Sequence, residues 1–112
     1  MSGTNRRPQS ELYREVATRW ADLDAAARLL EETKTAVFSQ KVTELLRDFP
    51  HYSLSKAEQS IKGSDYWNEY LEKMVRTRTL ANKAKIEVEY VRMKHWEEAQ
   101  DRADERFTAR MS

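Results

Sequence analysis

The sequence contains only two glycines and two prolines in 112 residues. Folds with many tight turns, such as β-sandwiches, barrels and doubly wound sheets, use these residues at their chain reversals. Phosphate-binding loops need several closely spaced glycines as well. A chain so poor in both residues must turn rarely, so we predict an all-α protein made of a few long helices.

The positions of these four residues also predict where the chain turns. Gly3 and Pro8 fall in a polar, basic segment, and we predict a flexible basic arm over residues 1–9. Pro50 and Gly63 bracket a single elbow between two long uninterrupted stretches. We therefore predict one helical domain over 10–112, with helices at about 10–48, about 55–62 and about 64–110.

Local signals refine the expected helix ends. The predicted N-caps are Ser10 for the first helix, Ser55 (in a capping box with Glu58) for the second and Ser64 or Asp65 for the third. Gly63 is the predicted C-cap of the second helix. The weakest helical stretch is Thr33–Thr35, where β-branched residues lower helix propensity, and the sequence leaves open whether the helix is kinked or broken there.

A seven-residue repeat runs along the last predicted helix. Its seam consists of Trp67, Tyr70, Met74, Ala81, Ala84, Val88 and Val91. The pattern is typical of coiled-coil packing, and small residues in the middle of the seam favour close approach of another helix. We predict a long helical hairpin that oligomerises into a bundle, with these residues as the oligomer seam.

A hairpin of two helices encloses no centre of its own. Apolar residues that would need another chain to cover them are Leu46, Leu71, Leu80, Ile86, Tyr90 and Met93. We therefore expect the protein to bind itself as a homodimer or a larger oligomer.

The residue patterns of enzymes and metal sites are missing from the sequence. There is no cysteine, and neither His51 nor His95 has a glutamate three residues before it. We interpret His51 as a polar loop residue and His95 as a partly buried continuation of the seam. Adjacent carboxylates such as Glu31-Glu32 and Glu97-Glu98 point about 100° apart on a helix, so neither pair converges on one ion. We predict no catalytic residue, no metal ligand and no cofactor.

Apolar residues are too scattered for a membrane segment. No stretch approaches the roughly 20 apolar residues of a membrane span. The N-terminal basic pair is not followed by the apolar run of a secretory signal. We expect a cytoplasmic protein with no membrane partner.

Charge is sorted into blocks although the net charge is only +1. Residues 73–85 carry five bases and no acid, whereas 97–105 carry five acids and one base. Candidate contacts for nucleic acid or a protein partner are Lys73, Arg76, Arg78, Asn82, Lys83, Lys85 and Arg92.

The basic residues have a second interpretation, in which they pair the two long helices. Asp24 and Glu31 are also seven residues apart, so they could meet Arg78 or Lys85 across an antiparallel hairpin. The near-neutral net charge favours helix pairing over nucleic-acid contact, because non-specific DNA-binding proteins are usually clearly basic.

The segment from Leu80 to Lys94, followed by Trp96 and the charged stretch from Ala103 to Arg110, resembles small helical proteins encoded by tailed bacteriophages and prophages. The resemblance covers most of residues 12–110 and consists of helix-forming patterns. It implies a phage accessory protein of recombination or replication, with no catalytic residues to carry over. The implied partners are a phage or host protein of DNA metabolism, in the cytoplasm of the bacterial host.

We therefore expect a non-catalytic accessory protein of DNA metabolism that acts through the protein contacts of an oligomeric helical bundle. Two alternatives stay open. One is direct nucleic-acid binding through residues 73–94. The other is inhibition of a host defence or repair enzyme, with the acidic blocks mimicking nucleic acid.

Overall fold

The structure, a computed structural model, describes residues 8–111 and contains three helices there. Helix α1 spans Gln9–Asp48, α2 spans Leu54–Lys62 and α3 spans Asp65–Met111. No strand occurs among these residues, which confirms the predicted all-α class. The predicted arm lies outside the described residues up to position 7, and Gln9 already belongs to α1.

The molecule is a rod rather than a globule. Its radius of gyration is 24.6 Å and it measures 88 × 30 × 16 Å, whereas a compact domain of this length has a radius of gyration of about 13 Å. α1 and α3 run antiparallel, because Arg19 contacts Glu87 while Thr33 contacts Tyr70. The predicted long hairpin is therefore confirmed for the single chain, and α2 forms its elbow.

Two of the predicted N-caps are each wrong by two residues. Pro8 precedes α1 in an extended conformation and its carbonyl accepts from Leu12, so Ser10 lies inside the first turn with no side-chain cap. The chain is extended at Ser53, whose hydroxyl accepts from the Lys56 N–H at 3.1 Å and caps α2 in place of Ser55. In both cases the helix begins where the preceding backbone is extended, one or two residues before the predicted serine.

The other two caps agree with the sequence. Gly63 follows α2 as its C-cap, and its N–H donates to the Gln59 carbonyl at 3.1 Å. Ser64 Oγ accepts from the Trp67 N–H at 3.2 Å at the start of α3. The two long helices are thus connected by one short capped helix and two short loops.

α1 is continuous through Thr33–Thr35, where the sequence left a break open. Thr33 Oγ1 donates to the Leu29 carbonyl at 2.6 Å and lies 3.0 Å from Tyr70 Oη. The Tyr70 hydroxyl also donates to the Leu30 carbonyl at 2.6 Å. The hydrogen bond that Tyr70 of α3 donates to the Leu30 carbonyl therefore supports α1 where its own helix propensity is lowest.

The core is thin and consists largely of small side chains. The buried residues are Val16, Ala27, Val42, Ala57, Trp67, Ala81, Ala84, Val88 and Val91. The sequence-predicted seam supplies five of them, and its other two members, Tyr70 and Met74, are half-buried. Trp67 fills the wider elbow end, where its ring lies 5.0 Å from that of Phe38 and 5.3 Å from that of Tyr70.

The packing places part of the predicted seam inside the single chain. Val88 and Val91 pack with Val16 of α1, so these seam residues close the hairpin. Tyr70 and Met74 of the seam are only half-buried. That the seam joins two chains stays a prediction.

α3 continues well beyond the end of α1. All residues from Arg92 to Met111 are exposed, a segment about 30 Å long that we call the free end of α3. His95 belongs to this segment and is exposed, which contradicts the predicted partial burial. The reason is that α1 begins at Gln9 and covers the seam only as far as Val91.

Candidate interaction surface on α3

The side of α3 turned away from α1 is its outer face. Five residues spaced by seven form a row along it, which we call the outer row: Arg76, Lys83, Tyr90, Glu97 and Asp104. All five are exposed, as are the neighbouring apolar residues Ile86 and Met93. Of the apolar residues expected to need a second chain, Leu80, Ile86, Tyr90 and Met93 are exposed, and Leu46 and Leu71 are half-buried.

Arg78 is the predicted contact residue whose role the structure defines most clearly. Its Nε and Nη2 donate to the two carboxylate oxygens of Glu31 at 2.8 and 2.7 Å. Its Nη1 donates to Asp24 Oδ1 at 2.8 Å. The predicted pairing of Asp24 and Glu31 with Arg78 is therefore confirmed, and this guanidinium is committed to holding the hairpin together.

The same contacts shift the ionisation of all three groups. Hydrogen bonds from Arg78 lower the pKa of the Asp24 and Glu31 carboxyls, by more than burial raises it. Hydrogen bonds from the two carboxylates raise the pKa of Arg78. The cluster stays fully ionised at neutral pH, and the two carboxylates more than neutralise the cation that a phosphate would otherwise bind.

The other basic candidates are exposed and spread around α3. They are Lys73, Arg76, Lys83, Lys85 and Arg92, and the exposed Asn82 accompanies them. Within residues 8–111, no acid lies within ion-pair distance of these five bases. Arg76 and Lys83 belong to the outer row, whereas Lys85 follows Arg78 by seven residues and lies on its flank. The structure therefore separates the basic block into parts with different surroundings.

Among residues 8–111, the acidic side chains of the free end form ion pairs with neighbours on α3. Lys94 Nζ lies 3.8 Å from Glu97, and Arg102 lies 3.9 Å from Glu98, both within one helical turn. Such distances are at the limit of an ion pair, and exposed pairs of this kind contribute little to stability. Within the described part of the chain, the acids of the outer row therefore have no strong ion pair.

The described surface offers little for catalysis or metal binding. No group of three or more histidine, aspartate or glutamate side chains is placed to hold a metal ion among residues 8–111. Depressions such as the one lined by Met93 and Trp96 lie open on the helix surface. No described helix is both long and apolar enough to cross a membrane. What the molecule presents is helix surface, above all the outer face and free end of α3.

Comparison with protein-family models, with curated proteins and with solved structures gave no match. The resemblance to phage-encoded helical proteins therefore stays a prediction. The interaction surface has to be interpreted from its own geometry and chemistry.

Proposed function

We propose that this protein is a non-catalytic accessory protein of phage DNA metabolism that acts through protein contacts made by α3. One observation supports α3 as the contact surface. In the described structure, Met93, Trp96 and Phe107 of the free end each expose more than half of their surface. The phage context comes from the resemblance of the segment 80–94 and of the charged stretch near the end of α3.

The arrangement of these side chains suits a helix that binds in a groove of another protein. Trp96 follows Met93 by three residues, and Phe107 follows Trp96 by eleven, which is about three helical turns. All three therefore lie on one side of the free end. Large aromatic side chains of this kind are frequent anchors of protein interfaces. An exposed helix with several such anchors gains packing only when a partner covers it.

The test uses single-stranded DNA-binding and recombination proteins of tailed bacteriophages. Each is first bound to fluorescent single-stranded DNA, and the accessory protein is then added while anisotropy is recorded. We expect a further rise in anisotropy with the wild type. In a Trp96→Lys, Phe107→Lys variant we expect at least about 30-fold weaker binding, because two aromatic anchors are lost.

Leu29→Lys is the matched control for this experiment. Leu29 is as exposed as Trp96 and Phe107, but it lies on α1. It should therefore bind like the wild type. Failure of the wild type to bind any of these DNA-bound proteins would overturn the proposal.

Direct nucleic-acid binding is the second candidate function. It is favoured by Lys73, Arg76, Lys83 and Lys85, which are exposed and have no acidic partner among the described residues. If it holds, the protein alone binds fluorescent DNA, and its affinity falls between about 50 mM and about 200 mM salt. A Lys83→Glu, Lys85→Glu variant would then bind more weakly, and an Arg14→Glu, Lys34→Glu variant of α1 would not. Absence of binding at the lower salt concentration rules this candidate out.

A further inference from the structure

The outer row has a charge pattern that is symmetric about Tyr90. Lys83 and Glu97 lie seven residues to either side of it, and Arg76 and Asp104 lie fourteen residues to either side. Seven residues are close to two helical turns, so all five side chains share one face. Each base has an acid at the same distance on the other side of Tyr90. Such a row is complementary to a copy of itself that runs in the opposite direction.

In the described part of the chain, all five side chains of this row are exposed. α1 packs on the opposite side of α3, against Val88 and Val91. Among residues 8–111, neither Arg76 nor Lys83 has an acid within ion-pair distance, and Asp104 has no base within that distance. Glu97 reaches only Lys94 of the next turn, at 3.8 Å.

We propose that the outer row binds a second copy of this chain, with the two α3 helices antiparallel and crossing at Tyr90. Lys83 then faces Glu97 of the partner subunit, and Arg76 faces Asp104 of the partner subunit. Two-fold symmetry repeats both contacts, so four opposite-charge pairs form. A parallel arrangement would instead place each charge against its own equivalent. The inference rests on the proposed function in taking α3 as the contact surface, and it identifies one partner of that surface.

Apolar side chains lie where the two helices would cross. Ile86, Tyr90 and Met93 are 66%, 56% and 55% exposed in the single chain. Ile86 precedes Tyr90 by four residues and Met93 follows it by three, so each Ile86 meets Met93 of the partner subunit. An apolar centre with charged flanks is the usual anatomy of a protein interface. The contact from Arg76 to Asp104 would be about 42 Å long.

The dimer would also give part of the free end a neighbour. In the antiparallel arrangement, residues 96–104 lie beside residues 76–84 of the second copy. That stretch of the second copy is itself packed on α1. A well-packed part of one subunit would thus cover an unsupported part of the other.

Cysteine cross-linking tests this arrangement, because the chain has no cysteine of its own. In the proposed dimer, Y90C places its thiols next to the symmetry axis, so oxidation should yield a covalent dimer. E97C is the matched control, because its thiols would be about 21 Å apart along the helices, beyond the reach of a disulfide. A mixture of K83C and E97C should cross-link to a heterodimer. Equal cross-linking of Y90C and E97C, or none in Y90C and in the mixture, would overturn the proposal.

Charge reversal tests the same contacts without covalent chemistry. Sedimentation equilibrium of the wild type alone should show a dimer. Two double variants reverse the charges: Arg76→Glu with Lys83→Glu, and Glu97→Lys with Asp104→Lys. Each should weaken dimerisation about 100-fold, because four attractive contacts become repulsive. An equimolar mixture of the two variants should regain the wild-type affinity. A wild type that is monomeric throughout, or variants that dimerise as well as the wild type, would contradict the proposal.

These measurements need no other protein. If the protein fails to dimerise, the binding test of the proposed accessory function can therefore still succeed or fail. In the same way, failure to bind DNA-bound proteins would leave the dimer unaffected.

Discussion

The paired part of α3, from Asp65 to Val91, and the free end that follows it belong to one helix without a glycine or proline. In the paired part, seam residues are buried and the ion pairs cross to α1, as between Arg78 and Asp24 at 2.8 Å. In the free end every residue is exposed and the ion pairs stay within one turn. The helix propensity of its residues allows α3 to continue beyond the end of α1. Only the paired part of α3 is held in place by packing against α1.

The two parts contain the same residue type in opposite environments. Trp67 is 6% exposed and packs against Phe38, whereas Trp96 is 61% exposed. Replacing either tryptophan by alanine removes the same atoms. A difference between the two losses of stability therefore measures the difference between the two environments. The comparison can therefore be tested with matched substitutions, made at protein concentrations low enough to keep the chain monomeric.

The largest difference is expected between the two tryptophans. Trp67→Ala should lower the free energy of unfolding by about 3–5 kcal/mol, because it leaves a cavity at the elbow end. That loss is comparable to the whole stability of many small domains. Trp96→Ala should change it by less than about 0.5 kcal/mol. Urea unfolding followed by circular dichroism measures both, and an equal loss would mean that the free end is packed after all.

A smaller difference is expected for small residues made large. Ala81 is fully buried where α1 and α3 approach each other, so Ala81→Leu should cost about 1–3 kcal/mol through overpacking. Ala103→Leu adds the same atoms to the exposed free end and should leave the urea midpoint nearly unchanged, since both residues favour helix. A neutral Ala81→Leu would show that the seam is looser than its burial indicates.

The ion pairs should differ in their pH dependence. The pKa of Asp24 and of Glu31 is lowered in the folded state, so their contribution to stability is present above the unfolded pKa and is lost as the pH falls through the lowered one. Arg78→Gln should therefore melt at a lower temperature than the wild type at neutral pH. The difference should close as the pH falls below about 4.5.

Arg92→Gln, at the start of the free end, is the control for this prediction. Arg92 is exposed and has no acidic partner in the described part of the chain. Its melting temperature should follow that of the wild type at every pH. A gap between Arg78→Gln and the wild type that persists in acid would show that Arg78 acts through packing rather than charge.

The smallest expected effect is a difference between the two parts of α3 in the free energy of local opening. Backbone amides of residues 96–111 should exchange with solvent faster than those of 70–91, because no side chain of α1 covers them. Mass spectrometry after brief deuteration resolves the two segments. If the proposed dimer forms at higher concentration, protection should rise over 96–104 and stay low beyond Phe107. Uniform protection along α3 in the monomer would remove the distinction between its two parts.

Much of this architecture was predictable because the chain has few places to turn. Pro50 and Gly63 place the elbow, and the predicted first helix of 10–48 became Gln9–Asp48. The pairing of Arg78 with Asp24 was also predictable, since both helices carry charges seven residues apart. These inferences need only helix periodicity and the assumption of an antiparallel hairpin.

The rest depends on how the helices are placed relative to each other. A seven-residue seam shows that some helix packs there, but the pattern is the same for α1 and for a second chain, so the sequence alone did not identify α1 as a helix that packs on it. The exposure of His95 follows from where α1 ends alongside α3, which depends on the elbow. The outer row becomes recognisable only when the opposite face of α3 is known to be covered.

The hydroxyl of Tyr70 and the guanidinium of Arg78 set the register of the hairpin. Sliding α3 along α1 by one repeat of seven residues would move Tyr70 Oη by about 10 Å from the Leu30 carbonyl, and it would separate Arg78 from both of its carboxylates. The apolar seam holds the two helices together, and these two polar residues bind α1 only in the observed alignment.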